Sequence, residues 1–191
     1  TMNISFTHKN KIYQIEFGEF AKKSNFFGSR IPAANEIKNL PLVSDFDSMT
    51  EISDEIIITF FDFIKGKEII INESNVIELQ TLSNKYQVSG LIEKTTEYIR
   101  KNNKEVIECI ISKNKLTSEA EGVICDHFKE FIQNDGLTTL TISQLYRILS
   151  RYSKEHNKES DEYSEHDKLE IIEFIYKIIS THRSNGFAFN I

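Results

Sequence analysis

Residues 55–102 constrain this chain more than any other part of it. Ile56, Ile57, Phe60, Phe61 and Ile64 recur at i, i+1, i+4, i+5 and i+8, which is one apolar stripe on an α-helix. Ser53 or Asp54 stands where an N-cap belongs. Gly66 stands just past the other end, where a glycine closes a helix. The spacing therefore predicts a helix over 54–65. Ile69–Ile71 reads as a short, fully apolar strand. Asn75 and Glu78 have capping-box spacing ahead of a second helix carrying Val76, Leu79, Leu82 and Tyr86. Ser89 caps a third, with Leu91, Ile92, Thr95 and Ile99 inward.

The residues before this stretch read as its cover. Ile4 and Phe6, then a polar turn over His8–Lys11, then Ile12, Tyr13, Ile15 and Phe17, have the alternation of a β-hairpin. Gly18 breaks it, and 19–27 follows helical spacing with Phe20, Ser24 and Phe27 on one side. Gly28, Ser29, Pro32 and Asn35 make 28–39 a loop. Ile37–Val43 reads as a short strand that Pro41 confines to an edge, and 44–53 as a polar connector.

Past residue 104 the pattern is helical. Val106, Ile107, Ile110 and Ile111 belong to one helix; Val123, Ile124, Phe128, Phe131 and Ile132 to another, ended by Asn134–Gly136. Ser143 caps a short helix with Leu145, Ile148 and Leu149. The tract 152–167 has almost no apolar residue and reads as a mobile acidic loop. A last helix runs from about Asp167 to His182 and carries Leu169, Ile171, Ile172, Ile175, Ile178 and Ile179. In the tail 183–191, Phe187, Phe189 and Ile191 are apolar at alternate positions. They either pack back on the helices or form an edge for a following repeat to cover.

Order and pattern imply an α+β chain, a small sheet with helices at 3–102 and an all-α region at 104–182. Its 191 residues suffice for one large or two small domains. The net charge of −6 is offset by no basic stripe, so no nucleic-acid partner is expected. No run reaches the ~20 apolar residues that span a bilayer, and no basic run leads into an apolar one at the N-terminus. No membrane or secretory signal is expected, and the sequons at Asn3 and Asn72 read as chance. The cytoplasm or nucleus is the expected location.

The order hairpin, helix, strand, helix, short strand and two helices resembles the BTB/POZ fold. The resemblance lies in Phe20–Phe27 (FAKKSNFF), Phe60–Lys67 (FFDFIKGK) and above all Asn75–Val88 (NVIELQTLSNKYQV), and it covers 3–102. Phe128–Phe131 and Thr141–Leu149 (TISQLYRIL), with a helix after a loop, are similar to the BACK segment that often follows BTB/POZ. The whole is similar to the N-terminal regions that precede ankyrin-repeat arrays in trichomonad proteins, so this chain would head a longer protein. The resemblance implies a non-catalytic interaction or adaptor module whose partners are proteins, among them a second copy or a cullin. Family dimers exchange a helix ahead of the hairpin. Cullin recruitment uses an apolar-x-Glu triplet, and Ala34-Asn35-Glu36 is the nearest match. The Skp-type and elongin-C-type adaptors share the fold and would be an alternative use of it.

Little in the sequence points to chemistry. Cys109 and Cys125 read as buried thiols of a reducing compartment. Cys125 and His127 are two residues apart and do not face each other on one helix. The residues His156, Glu159, Asp161, Glu162, His166 and Asp167 match no defined metal-site spacing. None of the 7 glycines builds a phosphate-cradling motif. No catalytic residue, cofactor or metal is expected. The competing expectation, an enzyme or ligand-binding domain with an unrecognised pocket, rests on the Cys, His and acidic residues of the C-terminal half. The candidate site residues are Ala34, Asn35 and Glu36 in the loop and Phe187, Phe189 and Ile191 in the tail.

Overall fold

A computed structural model of the chain describes residues 3–8, 10–29, 52–113, 116–133, 136–156 and 165–184. The described part is mostly helical with one two-stranded antiparallel sheet, which is compatible with an α+β class. The chain divides into two compact units, Thr1–Lys101 and Asn102–Ile191.

In the first unit, β1 (Asn3–His8) pairs antiparallel with β2 (Lys11–Glu16), in a register that sets Ile4 opposite Ile15 and Phe6 opposite Tyr13. Residues opposite each other share a face, so one face buries Ile4, Phe6, His8 and Ile15 while Ser5, Ile12 and Gln14 stay outside. Asn10 makes the turn at φ 64°, a backbone region that asparagine tolerates.

The helix expected over 19–27 is two helices, α1 (Phe17–Lys23) and α2 (Asn25–Gly28). Ser24 stands between them in extended backbone. Its hydroxyl accepts from Phe27 N at 3.2 Å and donates to the Tyr86 carbonyl, 62 residues away. The side expected to face inward does so, since Phe20, Ser24 and Phe27 are all buried.

The next helix, α3 (Asp54–Ile64), forms where its stripe predicts, with Ser53 Oγ accepting from Ile56 N at 3.4 Å. Gly66 follows at φ 82°, a conformation that a side chain would strain. Lys23 Nζ donates to the Phe63 carbonyl at 2.7 Å and sits 4.7 Å from the Phe63 ring, so a cation serves the negative end of α3.

Ile69–Ile71 is not a strand and pairs with neither β1 nor β2. The alternation survives without the pairing: Ile69 and Ile71 are half-buried against the core, and Ile70 is 79% exposed. The Asn75 side chain braces this segment, accepting from Asn72 N and donating to the Ile70 carbonyl, both at 3.0 Å. It therefore does not make the expected side-chain cap on α4 (Val76–Lys85). The helix α5 (Ser89–Ser112) starts at Ser89 and is interrupted at Asn102 (φ −130°, ψ 32°), where one unit ends and the other begins. Buried Gln80 of α4 and Thr95 of α5 hydrogen-bond to each other.

The second unit holds the rest of α5, then α6 (Ser118–Asp126), α7 (Phe128–Gln133), a 3-10 turn over Gly136–Thr139, α8 (Ile142–His156) and α9 (Glu165–Ser184). The single helix expected over 123–132 is broken at His127, whose backbone N–H ends α6 on the Val123 carbonyl. Thr141, not Ser143, caps α8. Thr141 Oγ1 accepts from Gln144 N at 3.3 Å and Gln144 Oε1 accepts from Thr141 N at 2.9 Å, a reciprocal box. The helix is also longer than expected, because 152–156 of the supposed acidic loop belongs to it. Tyr152 is buried with its ring 4.3 Å from that of Phe128, and Arg151 pairs with Glu155 at 2.7 Å along the helix. Residues 157–164, the strand expected at 37–43 and the tail from 185 lie outside the described residues.

If the break at residue 24 depends on its hydroxyl, Ser24→Ala removes a cap and a buried hydrogen bond. It should then destabilise the chain by about 1–2 kcal/mol in urea unfolding. A loss below ~0.5 kcal/mol would show that the backbone turns there without the hydroxyl's help.

Candidate interaction surface

Two helices of the second unit grip each other through arginines. Arg147 of α8 pairs with Glu121 of α6. Arg151, one turn on, donates to the carbonyl and, at 3.4 Å, the hydroxyl of Ser118 at the start of α6. Between these polar ties the apolar side of α8, with Leu145, Ile148 and Tyr152, is buried. The rings of Phe128 and Phe174 meet edge-on at 6.3 Å, which docks α9.

The unusual helix is α9. Phe174 and Ile178 are buried, Ile171, Ile175 and Ile179 are half-buried, and Leu169, Ile172 and Tyr176 are 54%, 49% and 69% exposed. At ~100° per residue, these eight positions cover an arc of about 220° of the helix. A surface helix packed on one side needs only ~100° of apolar face. The surplus is the strip Leu169–Ile172–Tyr176, on the opposite side from Phe174. Glu173 and Lys177 lie on the remaining, charged arc. Among the described residues, Ile142 and Tyr146 form a smaller exposed pair one turn apart on α8, at 39% and 72%. In the first unit, exposed Ile12, Ile58 and Ile70 stand on separate elements, the ordinary scatter of a protein surface.

The residues singled out from the sequence lie elsewhere. Ala34, Asn35 and Glu36, and the tail residues Phe187, Phe189 and Ile191, are outside the described residues. The sequence does place Leu169 and Ile172 on the last helix, but only the width of the apolar arc, with Phe174 and Tyr176 counted, marks a second face. That arc can be drawn from the sequence alone, and it is the signal for this surface.

The chemistry-bearing residues form no reacting centre on the described part. The Cys125 thiol is buried and donates to the Ile148 carbonyl at 3.6 Å. Burial first, and then Glu155, push its pKa up to about 12, so it carries almost no thiolate at neutral pH. No group of His, Cys, Asp and Glu able to hold a metal ion occurs among the described residues, and the side chains of His156, Glu159, Asp161, Glu162, His166 and Asp167 lie outside them. In the first unit, Asp54 accepts from Tyr13 at 3.0 Å and from Lys11. These two hydrogen bonds, the one from Lys11 foremost, hold its carboxyl below the usual range, and burial with the nearby Asp54 raises Tyr13 to about 12. The cluster ties β2 to the start of α3 and presents no proton poised near neutral pH. No helix of the described residues is long and apolar enough to cross a membrane.

The chain matches no family model and no curated protein.

The two thiols are unequal in this geometry: Cys109 is half-buried and Cys125 is buried, and neither is in a disulfide. In a thiol-reagent titration at pH 7.5, Cys109 should label first and Cys125 only on unfolding. Equal rates would show that α6 and α8 open far more readily than their packing implies.

Proposed function

We propose that the chain is a non-catalytic protein-interaction module of the adaptor type, a BTB/POZ-like unit followed by a BACK-like helical unit. The observation that carries this reading is the surplus apolar arc of α9. Leu169, Ile172 and Tyr176 are half-exposed or more on one side of a helix whose other side is already buried. Such a strip gains nothing for the fold. Burying each of these side chains in a partner is worth roughly 1.5–3 kcal/mol. Tyrosine on an exposed apolar strip is also the residue type that interfaces favour, because its ring packs while its hydroxyl stays wet. The protonated, buried Cys125 and the latched Asp54 supply no nucleophile or base to set against this reading. The cullin-adaptor version rests on Ala34–Glu36, which lies outside the described residues, and it carries no part of the proposal.

Because the strip is exposed, polar replacements there should leave stability within about 0.5 kcal/mol per site. The variant Leu169→Ser/Ile172→Ser/Tyr176→Ser should therefore keep the wild-type circular dichroism and melting. Used as bait in an extract of the cells that make the protein, it should lose the proteins that the wild-type chain retains. Retention of the same set by both baits would remove α9 as the interaction surface.

A further inference from the structure

We propose that residues 68–72 pair edge to edge with the same residues of a second copy of this chain, as two antiparallel strands about a two-fold axis at Ile70. The inference goes beyond the reading of α9, since it uses a different surface, in the first unit. An exposed isoleucine alone is ordinary; what marks Ile70, at 79% exposure, is the main chain on either side of it. In an extended segment, the N–H and C=O of one residue point to one edge and those of the next residue to the other. The edge of Ile70 and Asn72 is filled from within. Asn75 accepts from Asn72 N and donates to the Ile70 carbonyl, both at 3.0 Å, so one side chain reaches along that edge across two residues. The N–H groups of Asn75 and Val76 donate to the Asn72 carbonyl at 3.2 and 3.0 Å. On the opposite edge, no described residue hydrogen-bonds to the main chain of Ile69 or Ile71. The side chains of Ile69 and Ile71 pack on the core, so this edge is held in place with its polar groups open to a partner.

Only another extended main chain presents donors and acceptors at that spacing, and this segment supplies one itself. With the two-fold at Ile70, Ile69 lies opposite Ile71 of the second copy and Ile71 opposite its Ile69. Each of these pairs exchanges both main-chain hydrogen bonds, and the Ile70 pair between them makes none. That is the pattern Asn75 leaves, because it has already taken the Ile70 carbonyl from the other side. The Ile70 side chains then meet at the close, non-hydrogen-bonded position and cover each other. On the same face, Glu68 lies opposite Asn72 of the second copy. Asn72 Oδ1 accepts from Ser74 N and Oγ at 3.0 and 2.8 Å, which turns its amide hydrogens to the glutamate. The neighbouring registers fit less well. Centred on Ile69, Ile71 would face Lys67, whose N–H already donates to the Asp62 carbonyl at 2.9 Å. Centred on Ile71, Ile69 would face Glu73, which lies in the turn before α4.

Such a contact is short and is expected to form reversibly at high concentration. Its geometry permits a direct test. Opposed residues at a non-hydrogen-bonded site have Cα atoms about 4.5 Å apart, within the ~4.4–6.8 Å that a disulfide spans. Under mild oxidation of the full chain, Ile70→Cys should give a covalent dimer. Ile12→Cys and Ile58→Cys, at positions 68% and 51% exposed, are the controls, and the native thiols are common to all three. Ile70→Cys should cross-link at least about tenfold faster than either, because pairing raises the local thiol concentration. Without oxidation, Ile70→Lys and Ile70→Asp should each keep the wild-type circular dichroism and remain monomeric up to about 1 mM, where sedimentation should show the wild-type chain dimerising. An equal mixture of the two variants should dimerise, since lysine then faces aspartate, and a folding defect would not be rescued in this way.

Cross-linking no faster than at the controls, or a mixture that stays monomeric, overturns the inference. If Ile70→Lys then loses extract proteins that the wild-type chain retains, the edge takes a strand of another protein in place of a second copy. The variant Leu169→Ser/Ile172→Ser/Tyr176→Ser should cross-link through Ile70→Cys as fast as the unaltered strip does, so failure of the α9 reading and failure of this one are separate results.

Discussion

The first unit is held around one contact, the ring of Tyr86 among the rings of Phe6, Phe20, Phe27 and Phe60. Centroid distances run from 5.6 Å to Phe20 to 6.1 Å to Phe27, and every one of these residues is buried to 3% exposure or less. They come from the hairpin, α1, α2, α3 and the end of α4, so the cluster fixes five segments at once. Rings of this size contribute most of the apolar area that a small unit can bury, and truncating any one leaves a void costing about 3–5 kcal/mol. The hairpin depends on the cluster directly. Two strands alone are marginal in water, and Phe6 gives β1 an anchor by packing between Phe61 at 5.0 Å and Phe20 at 5.5 Å. The turn at Ser24 depends on it too, because the carbonyl that its hydroxyl meets belongs to Tyr86 itself.

That dependence separates what could be read in the sequence from what could not. The position and ends of α3 were legible because each signal is local: a stripe at helical spacing, a serine at the cap, a glycine past the end. The inward side of 19–27 was legible for the same reason. The break within it was not, since Ser24 yields to a partner 62 residues away and no local pattern encodes that. Ile69–Ile71 misleads in the opposite sense. Its composition is that of a strand, but a strand is a property of two segments, and the side chains can alternate in and out without a ladder. Tyr152–His156 was hidden because polar composition argues for a loop, whereas one ring against Phe128 and one Arg–Glu pair suffice to carry α8 through it.

The candidate surface was half legible. Leu169, Ile172 and their neighbours mark a helix, and the natural assumption is that all of them point inward. A helix has one inside, however, and an apolar arc of about 220° cannot fit there. This chain is rich in isoleucine, so an exposed isoleucine by itself says little. Ile58 on α3 is 51% exposed, about as much as Ile172, and it stands beside no second exposed apolar residue at helical spacing on its helix. The weight lies in the arrangement. Exposed Ile172 has exposed Leu169 and Tyr176 in line with it.

The two units therefore spend similar residues in different ways. In the first, the described aromatic and aliphatic side chains converge on one interior, and the exposed isoleucines Ile12, Ile58 and Ile70 stand apart from one another. In the second, the described residues of α9 bury Phe174 and Ile178 and leave Leu169, Ile172 and Tyr176 exposed. A net charge of −6 and the charged arc bearing Glu173 and Lys177 allow such a strip to stay in water without indiscriminate association. An apolar strip this small that is tolerated in water favours a contact that forms and releases over a permanent one.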